Sequence, residues 1–219
     1  MHTQAPTSND PTASSPEPRR FRFTLKQLSI AVAVVAVVLA IWVGLLRKVV
    51  TIRPARGDDP VRERYFGIDD DNAEIRNIAV ARGTFTKSTW LSASLTAVQG
   101  GQSQEINGFT VGRSLSQIGS PPWQTLNIIL ALGSRDTPNG RAVQLGSVGH
   151  SSGGGAGGEW PIGFQTDFSE TFTGSITPGR DYIIYAEGDT KIDMNPQMTI
   201  SEFAQKNLGN YLVVTAQLN

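Results

Sequence analysis

One short motif in this chain has residue types and a spacing that could support covalent catalysis. Gly149-His150-Ser151-Ser152-Gly153 follows the apolar run Ala142–Val148. G-x-S-x-G after a strand is the pattern that presents a nucleophilic serine on a strand-to-helix turn. On this interpretation Ser151 would be the nucleophile, and it would need an adjacent general base to react at neutral pH.

Three features of the sequence argue against that chemistry. The turn must lead into a helix, but residues 154–158 read Gly-Gly-Ala-Gly-Gly, and glycine is a poor helix former. The histidine of such a triad should follow the serine, yet the only histidine besides His150 is His2. The rest of the sequence also lacks alternating strands and helices. We therefore expect residues 149–153 to belong to a flexible glycine-rich loop, and we predict no catalytic residue and no enzymatic activity.

Two acidic clusters could bind a metal or act on a glycan. Residues 69–74 read Asp-Asp-Asp-Asn-Ala-Glu, but they lack the central glycine and distal glutamate of a calcium loop. Glu187, Asp189 and Asp193 follow a predicted strand, and paired carboxylates can hydrolyse glycosidic bonds. Turn chemistry explains the second cluster equally well. The sequence leaves open whether residues 69–74 or 187–193 bind a metal, and we assign no metal ligand and no cofactor.

Charge and cysteine content exclude several functional classes. The formal net charge is zero, with an excess of four positive charges in residues 1–48 and four negative charges in residues 49–219. A mildly acidic domain without a basic stripe argues against nucleic-acid binding. The chain has no cysteine, which excludes disulfides and zinc-thiolate sites.

A long uncharged segment lies near the N-terminus. Residues 27–46 carry no charge, while Lys26 precedes them and Arg47 and Lys48 follow. A helix of this length reaches roughly 30 Å, the thickness of a bilayer core. We predict that residues 21–48 form a single transmembrane anchor, which contacts the lipid bilayer through residues 28–46. A cleavable signal peptide is the alternative.

The start of this segment resembles known membrane anchors. Residues 19–28, Arg-Arg-Phe-Arg-Phe-Thr-Leu-Lys-Gln-Leu, resemble the basic-aromatic signal-anchors of bacterial single-pass envelope proteins. The resemblance implies an inner-membrane protein whose C-terminal domain lies outside the cytoplasm, although the flanking basic residues do not favour that orientation. Phe23-Thr24-Leu25 also resembles a type IV pilin or pseudopilin N-terminus, but Arg22 and Gln27 replace its diagnostic Gly and Glu.

The remaining segments predict a mainly β protein. We expect a disordered tail in residues 1–20, a membrane-proximal linker in residues 49–77 and a β-sandwich-like domain in residues 78–219. Apolar residues alternate with polar ones from Leu91 to Ala97, as in a half-buried strand. The predicted strands are Ile78–Thr86, Thr89–Val98, Ile106–Val111, Thr125–Gly133, Arg141–Val148, Ile162–Thr166, Thr171–Ile176, Tyr182–Ala186 and Tyr211–Gln217.

Turn and cap signals complete the predicted fold. Asn139-Gly140 favours a hairpin, and Pro178-Gly179 indicates another turn. Thr199 and Glu202 fit a capping box for one short helix near the C-terminus, with Gly209 in the left-handed position after it. The fold class is an antiparallel β-sandwich or open barrel. Residues 174–185 resemble part of carboxypeptidase-regulatory-like and Ig-like sandwiches, which implies a fold without catalysis.

These patterns predict a non-enzymatic binding or structural module of the bacterial cell envelope, with a protein or glycan partner and no nucleic acid. An envelope enzyme that acts on glycan through paired carboxylates and a pseudopilin-like assembly subunit are the alternatives.

Overall fold

The computed structural model describes residues 24–46, 49–59, 74–85, 89–113, 124–138, 140–148, 155–161 and 166–219. Within these ranges there are two helices, α1 (Leu25–Leu46) and α2 (Ile200–Lys206). The strands are β1 (Val50–Pro54), β2 (Glu74–Phe85), β3 (Thr89–Gln99), β4 (Gln102–Arg113), β5 (Gln124–Thr137), β6 (Gly140–Val148), β7 (Gly155–Pro161), β8 (Phe168–Thr171), β9 (Gly174–Ile176), β10 (Asp181–Gly188) and β11 (Asn210–Leu218).

Hydrogen bonds in the first turns of helix α1 pair the polar side chains of Thr24, Gln27 and Ser29 with the backbone. The backbone N–H of Thr24 donates to Gln27 Oε1 at 3.1 Å, and the backbone N–H of Gln27 donates to Thr24 Oγ1 at 3.3 Å, which is a capping box. The hydroxyl of Ser29 donates to the Leu25 carbonyl at 2.9 Å. Its large apolar side chains up to Trp42 are all at least 55% exposed. By length and composition, Leu25–Trp42 could cross a membrane.

The strands form two antiparallel sheets. The six-stranded sheet has the order β7-β6-β5-β2-β1-β9, and the five-stranded sheet has the order β4-β3-β11-β10-β8. Every pairing between these strands is antiparallel. The inner faces of both sheets supply one apolar core, so the fold is the sandwich and not the open barrel of the two predicted alternatives.

Alternation along the strands explains this core. Leu91, Ala93 and Leu95 of β3 point into it, while Ser92 and Ser94 lie on the outer face. β5 is buried on both faces, as its continuous apolar sequence predicts. Its even-numbered residues from Leu126 to Leu132 face the core, and Ile129 and Ala131 form a smaller outer cluster.

The short helix covers the outer face of the five-stranded sheet. Thr199 Oγ1 accepts from the backbone N–H of Glu202 at 3.2 Å, and Glu202 Oε2 accepts from the backbone N–H of Thr199 at 2.7 Å, which confirms the predicted capping box. Phe203 is fully buried, and its ring meets that of Tyr211 edge to face at 5.4 Å between centroids.

Three sequence-based expectations need correction. The range assigned to a linker, 49–77, contains β1 and the start of β2, and Val50 and Ile52 are fully buried. The glycine-rich stretch expected to be a flexible loop contains β7, which pairs with β6. Gly209 does not adopt a positive φ, since the glycines that do so are Gly100, Gly101 and Gly179 among the described residues.

The turns follow local sequence. Gln99 pairs with Gln102, and the two residues between them, Gly100 and Gly101, have φ of 56° and 84°, as a tight hairpin requires. The predicted hairpin between β5 and β6 is present, with Thr137 paired to Gly140. Gly179, with φ 79°, turns the chain into β10.

Candidate functional site

The serine motif lies between two paired strands. Residues 149–154, and with them Ser151, fall outside the described residues. On either side of them, β6 and β7 pair antiparallel, with Gly146 opposite Gly155. A nucleophile turn leads from a strand into a helix, whereas here the chain resumes as the neighbouring antiparallel strand.

The acidic residues singled out from the sequence do not converge. Of residues 69–74, only Glu74 lies in the described part, where it is exposed at the start of β2. Asp189 accepts from the backbone and side-chain nitrogens of Asn210 at 2.9 and 2.6 Å. Asp193 pairs with Lys206 at 2.8 Å, and Glu187 points into the sandwich. Within the described residues, no group of three or more acidic, histidine or cysteine side chains could hold a metal.

Glu187 belongs instead to a polar cluster that links the two sheets. Its side chain is 1% exposed and forms an ion pair with Arg76, whose side chain is 38% exposed. The hydroxyl of Tyr185 donates to Glu187 Oε2 at 2.6 Å. Arg76 lies on β2 of the six-stranded sheet, whereas Tyr185 and Glu187 lie on β10 of the five-stranded sheet. We call Arg76, Tyr185 and Glu187 the cross-sheet cluster.

Two β-bulges aim these side chains inward. The register of β2 shifts between Asn77 and Ala79, and that of β10 shifts between Ile183 and Tyr185. A bulge places one extra residue in a strand and changes which face the following side chains occupy. On β10, Ile184 and Tyr185 therefore both belong to the core, and Glu187, two residues further on, shares that face.

Burial has the largest influence on the pKa of Tyr185 in the cross-sheet cluster. It raises the pKa of Tyr185 above its ordinary value of 10.0, while the charge of Arg76 and a hydrogen bond with Ser169 act in the opposite direction. Tyr185 thus stays a neutral donor that satisfies Glu187. A buried carboxylate with a counter-ion and a donor is a structural arrangement.

A groove lies elsewhere, on the outer face of the five-stranded sheet. It encloses about 650 Å³ between β4 and the segment that leads into α2, and it continues into a shallower part of about 470 Å³ along β3 and β4. We call both parts the hydroxyl groove, because side chains of β3, β4 and β11 supply its floor: Ser92, Ser94, Thr96, Thr110 and Thr215.

These hydroxyls are joined in pairs across strands. Ser94 and Thr215 are 2.7 Å apart, and Ser92 and Thr110 are 3.0 Å apart. A hydroxyl has one donor and two acceptor positions, so the bond within each pair uses only one of its two O–H donors. Gly108 lies beside Ser94, and a Cβ there would stand 3.2 Å from Ser94 Cβ. The absence of a side chain at Gly108 therefore leaves space above Ser94 in the groove.

Charged residues stand on opposite sides of the hydroxyl groove. Glu105 of β4 and Asp181 of β10 line both of its parts, and Arg180 lines the deeper one. All three side chains are exposed. The local balance is one negative charge, which disfavours phosphate or nucleic-acid ligands.

The same outer face carries an exposed tryptophan. Trp90 precedes Ser92 by two residues on β3, and it is 39% exposed. Its backbone N–H and carbonyl both pair with Asn219, whose side-chain amide donates to Ser92 Oγ at 3.1 Å. The C-terminal residue thus fixes the end of the strand that presents the indole.

Sequence reasoning did not identify the hydroxyl groove. The alternating serines of β3 signalled an outward face, but Thr215 lies 121 positions from Ser94, and only the sheet order joins them. No family model matches the chain, and no curated protein or solved structure shows a significant similarity to it.

Proposed function

We propose that this chain is a membrane-anchored, non-enzymatic binding module of the bacterial cell envelope. Helix α1 holds it in the inner membrane, and its sandwich domain lies outside the cytoplasm. The hydroxyl groove is the binding site. The observation that carries this proposal is an open polar groove on a β-sandwich whose described acidic residues do not assemble around a nucleophile or a metal.

Several features support a binding role over catalysis. Glu187, Asp189 and Asp193 each have separate partners. β7, the described strand after the serine motif, pairs antiparallel with β6, whereas the turn that activates a serine leads into a helix. A ligand site needs only a concave surface with convergent polar groups, which the hydroxyl groove provides.

One alternative function has a specific observation in its favour. Glu105 and Asp181 line the same groove, and a pair of carboxylates is the catalytic set of glycosidases. Both side chains are exposed, whereas a general acid at neutral pH needs apolar surroundings. The binding role therefore explains these residues better, and the release of reducing ends from a bound glycan would favour the enzyme.

Membrane topology provides the primary test. Protease added to intact spheroplasts should remove the sandwich domain of the full chain, with a cytoplasmic protein in the same cells as the protected control. Digestion that occurs only after lysis would place the domain in the cytoplasm and contradict the proposed function.

Active-site labelling tests the non-enzymatic part. A serine without its base lacks the activation that makes a hydroxyl reactive, so a fluorophosphonate probe should not label the purified full chain. Ser152→Ala serves as the control for Ser151→Ala. Stoichiometric labelling that only Ser151→Ala abolishes would move the protein into the enzyme class.

A further inference from the structure

We propose that the hydroxyl groove binds a linear, neutral polysaccharide. This inference rests on the proposed function, since such a polymer would meet the domain outside the cytoplasm. It concerns the chemistry of the groove, which the topology experiment leaves untouched.

The lining of the groove favours a polyol over other ligands. Its floor consists of hydroxyl pairs such as Ser94–Thr215, which both donate and accept hydrogen bonds. Sugar hydroxyls also do both, so each can find a partner there. Glu105 and Asp181 add carboxylates on two sides, and hydrogen bonds to ionised acceptors are the stronger kind.

The charge of the groove argues against anionic polymers. Arg180 faces two carboxylates, Glu105 and Asp181, so a uronic acid chain or a nucleic acid would meet net repulsion. Extended peptides and amphipathic helices are bound through apolar pockets. Here Met198 and Ile200 pack against the cluster beneath α2, and Ala93 and Phe109 belong to the core between the sheets.

The shape of the groove fits a chain that lies across it. It runs over β4, β3, β11 and β10, which are consecutive in the sheet, and four strands span roughly 14 Å. The groove is open to solvent, so a polymer can lie across it. Trp90 offers an exposed ring on the same sheet face, and indole combines an apolar surface with one N–H donor.

Binding of defined oligosaccharides to the full chain in detergent micelles tests the proposal. The probes are cellohexaose, chitohexaose and maltohexaose, with hexagalacturonate as the anionic comparison, and titration calorimetry gives the affinity. We expect at least one neutral hexasaccharide to bind and hexagalacturonate to bind more weakly. Binding of none of the three, or a preference for hexagalacturonate, would overturn the proposal.

Matched substitutions locate the site. Thr110→Trp places a bulky ring in the groove and should weaken binding at least tenfold, whereas Thr51→Trp, at an exposed threonine of β1, should leave it unchanged. Asp181→Asn should weaken binding about tenfold, since hydrogen bonds to an ionised acceptor are stronger than those to a neutral amide oxygen. Asp136→Asn is its control, at an exposed aspartate of β5.

Circular dichroism of each variant verifies the fold. Equal affinities for Thr110→Trp and Thr51→Trp would show that the ligand binds elsewhere and would overturn the inference. A domain that is protease-accessible on spheroplasts but binds no glycan contradicts only this inference. A cytoplasmic domain contradicts the proposed function itself.

Discussion

At the residue scale, Glu187 is a charged side chain in the interior of the sandwich. It is almost fully buried, and two partners from facing sheets satisfy it, Arg76 and Tyr185. Because both charges must be desolvated, a buried ion pair contributes about as much to folding stability as apolar residues of similar volume would. Removal of one partner alone is strongly destabilising, because it leaves an unpaired buried charge. The cluster therefore fixes how the two sheets align more than it adds stability.

Substitution of either partner should have unequal effects. Arg76→Met leaves a buried carboxylate without its counter-ion and should lower the free energy of unfolding by roughly 3 kcal/mol. Glu187→Gln keeps an acceptor for Tyr185 and leaves an arginine that can turn to solvent, so about 1 kcal/mol is expected. Urea unfolding of the full chain in micelles measures both.

The double variant provides the control. Arg76→Met with Glu187→Gln removes both charges and should be less destabilised than Arg76→Met alone, as coupled neighbours are not additive. A double variant that loses the sum of the single effects would contradict the cross-sheet pairing.

A second residue-scale prediction concerns acid stability. Arg53 forms a bidentate pair with Asp59 at 2.9 and 2.7 Å, and the backbone N–H of Arg56 donates to Asp59 at 2.7 Å. These bonds, the one from Arg53 first, lower the pKa of Asp59 below its ordinary 3.8. The folded chain thus binds this proton more weakly than the unfolded chain. The stabilisation is complete above the ordinary pKa and is lost as pH falls through the lower, folded value.

Asp59→Asn should therefore cost about 1–2 kcal/mol near neutral pH. Its difference from the wild type should shrink as the pH falls from about 5 to about 2. Chemical unfolding across this range measures it, with the adjacent exposed Asp58→Asn as the control. A difference that stays constant with pH would refute the role of the Asp59 charge.

At the scale of elements, Gly209 is required by the close approach of two chain segments and not by helix capping. The helix α2 ends at Lys206, and Asn207, with φ −114°, caps it. Gly209 then passes beside the loop after β10. A Cβ on Gly209 would lie 2.5 Å from both Asp189 Oδ1 and Thr190 Oγ1. The glycine lets β10 and β11 meet while Asp189 holds Asn210.

Gly209→Ala should consequently destabilise the domain by about 1–3 kcal/mol, the usual cost of overpacking. Gly57→Ala is the matched control, since a Cβ there meets nothing within 4 Å, and a change within about 0.5 kcal/mol is expected. Thermal unfolding of the two variants compares them. Equal melting temperatures would show that the loop yields without cost.

At the scale of the whole molecule, an apolar helix and a sandwich domain share one chain. The sandwich buries its apolar side chains between the sheets and beneath α2. The apolar side chains of helix α1 are exposed, and the hydroxyl of Ser29 donates a hydrogen bond to the Leu25 carbonyl of the same helix. By length and composition such a helix could cross a membrane, since in the hydrocarbon core backbone polar groups must be paired within the protein.

Membrane retention follows from this division. Deletion of Leu28–Leu46 should move the chain from the membrane pellet to the soluble fraction, because no long apolar segment then remains. Fractionation with and without detergent measures it. Full solubility of the intact chain, or a mature N-terminus at Ile41, would contradict a retained anchor.

Local patterns by themselves determined much of this protein. Alternation in β3 and the continuous apolar run of β5 specify burial on one face or both, since side chains of a strand alternate between its faces. Thr199 and Glu202 are three residues apart and contact each other, so the capping box is predictable from the sequence. Helix α1 is likewise predictable from its own uncharged sequence, without knowledge of any segment that packs against it. The pair Gly100-Gly101 is a further hairpin signal, since both residues tolerate a positive φ.

Only the tertiary structure decided what depends on distant partners. β1 is five residues long and ends in Arg53 and Pro54, so its sequence is typical of a linker. Only the pairing with β2 and β9 on its two sides shows that it is a strand. Glu187 gave the signal of an exposed turn acid, but two bulges and Arg76 make it a core residue. The hydroxyl groove arises because β11 inserts between β3 and β10. Sheet order is set by long-range burial, which no local pattern encodes.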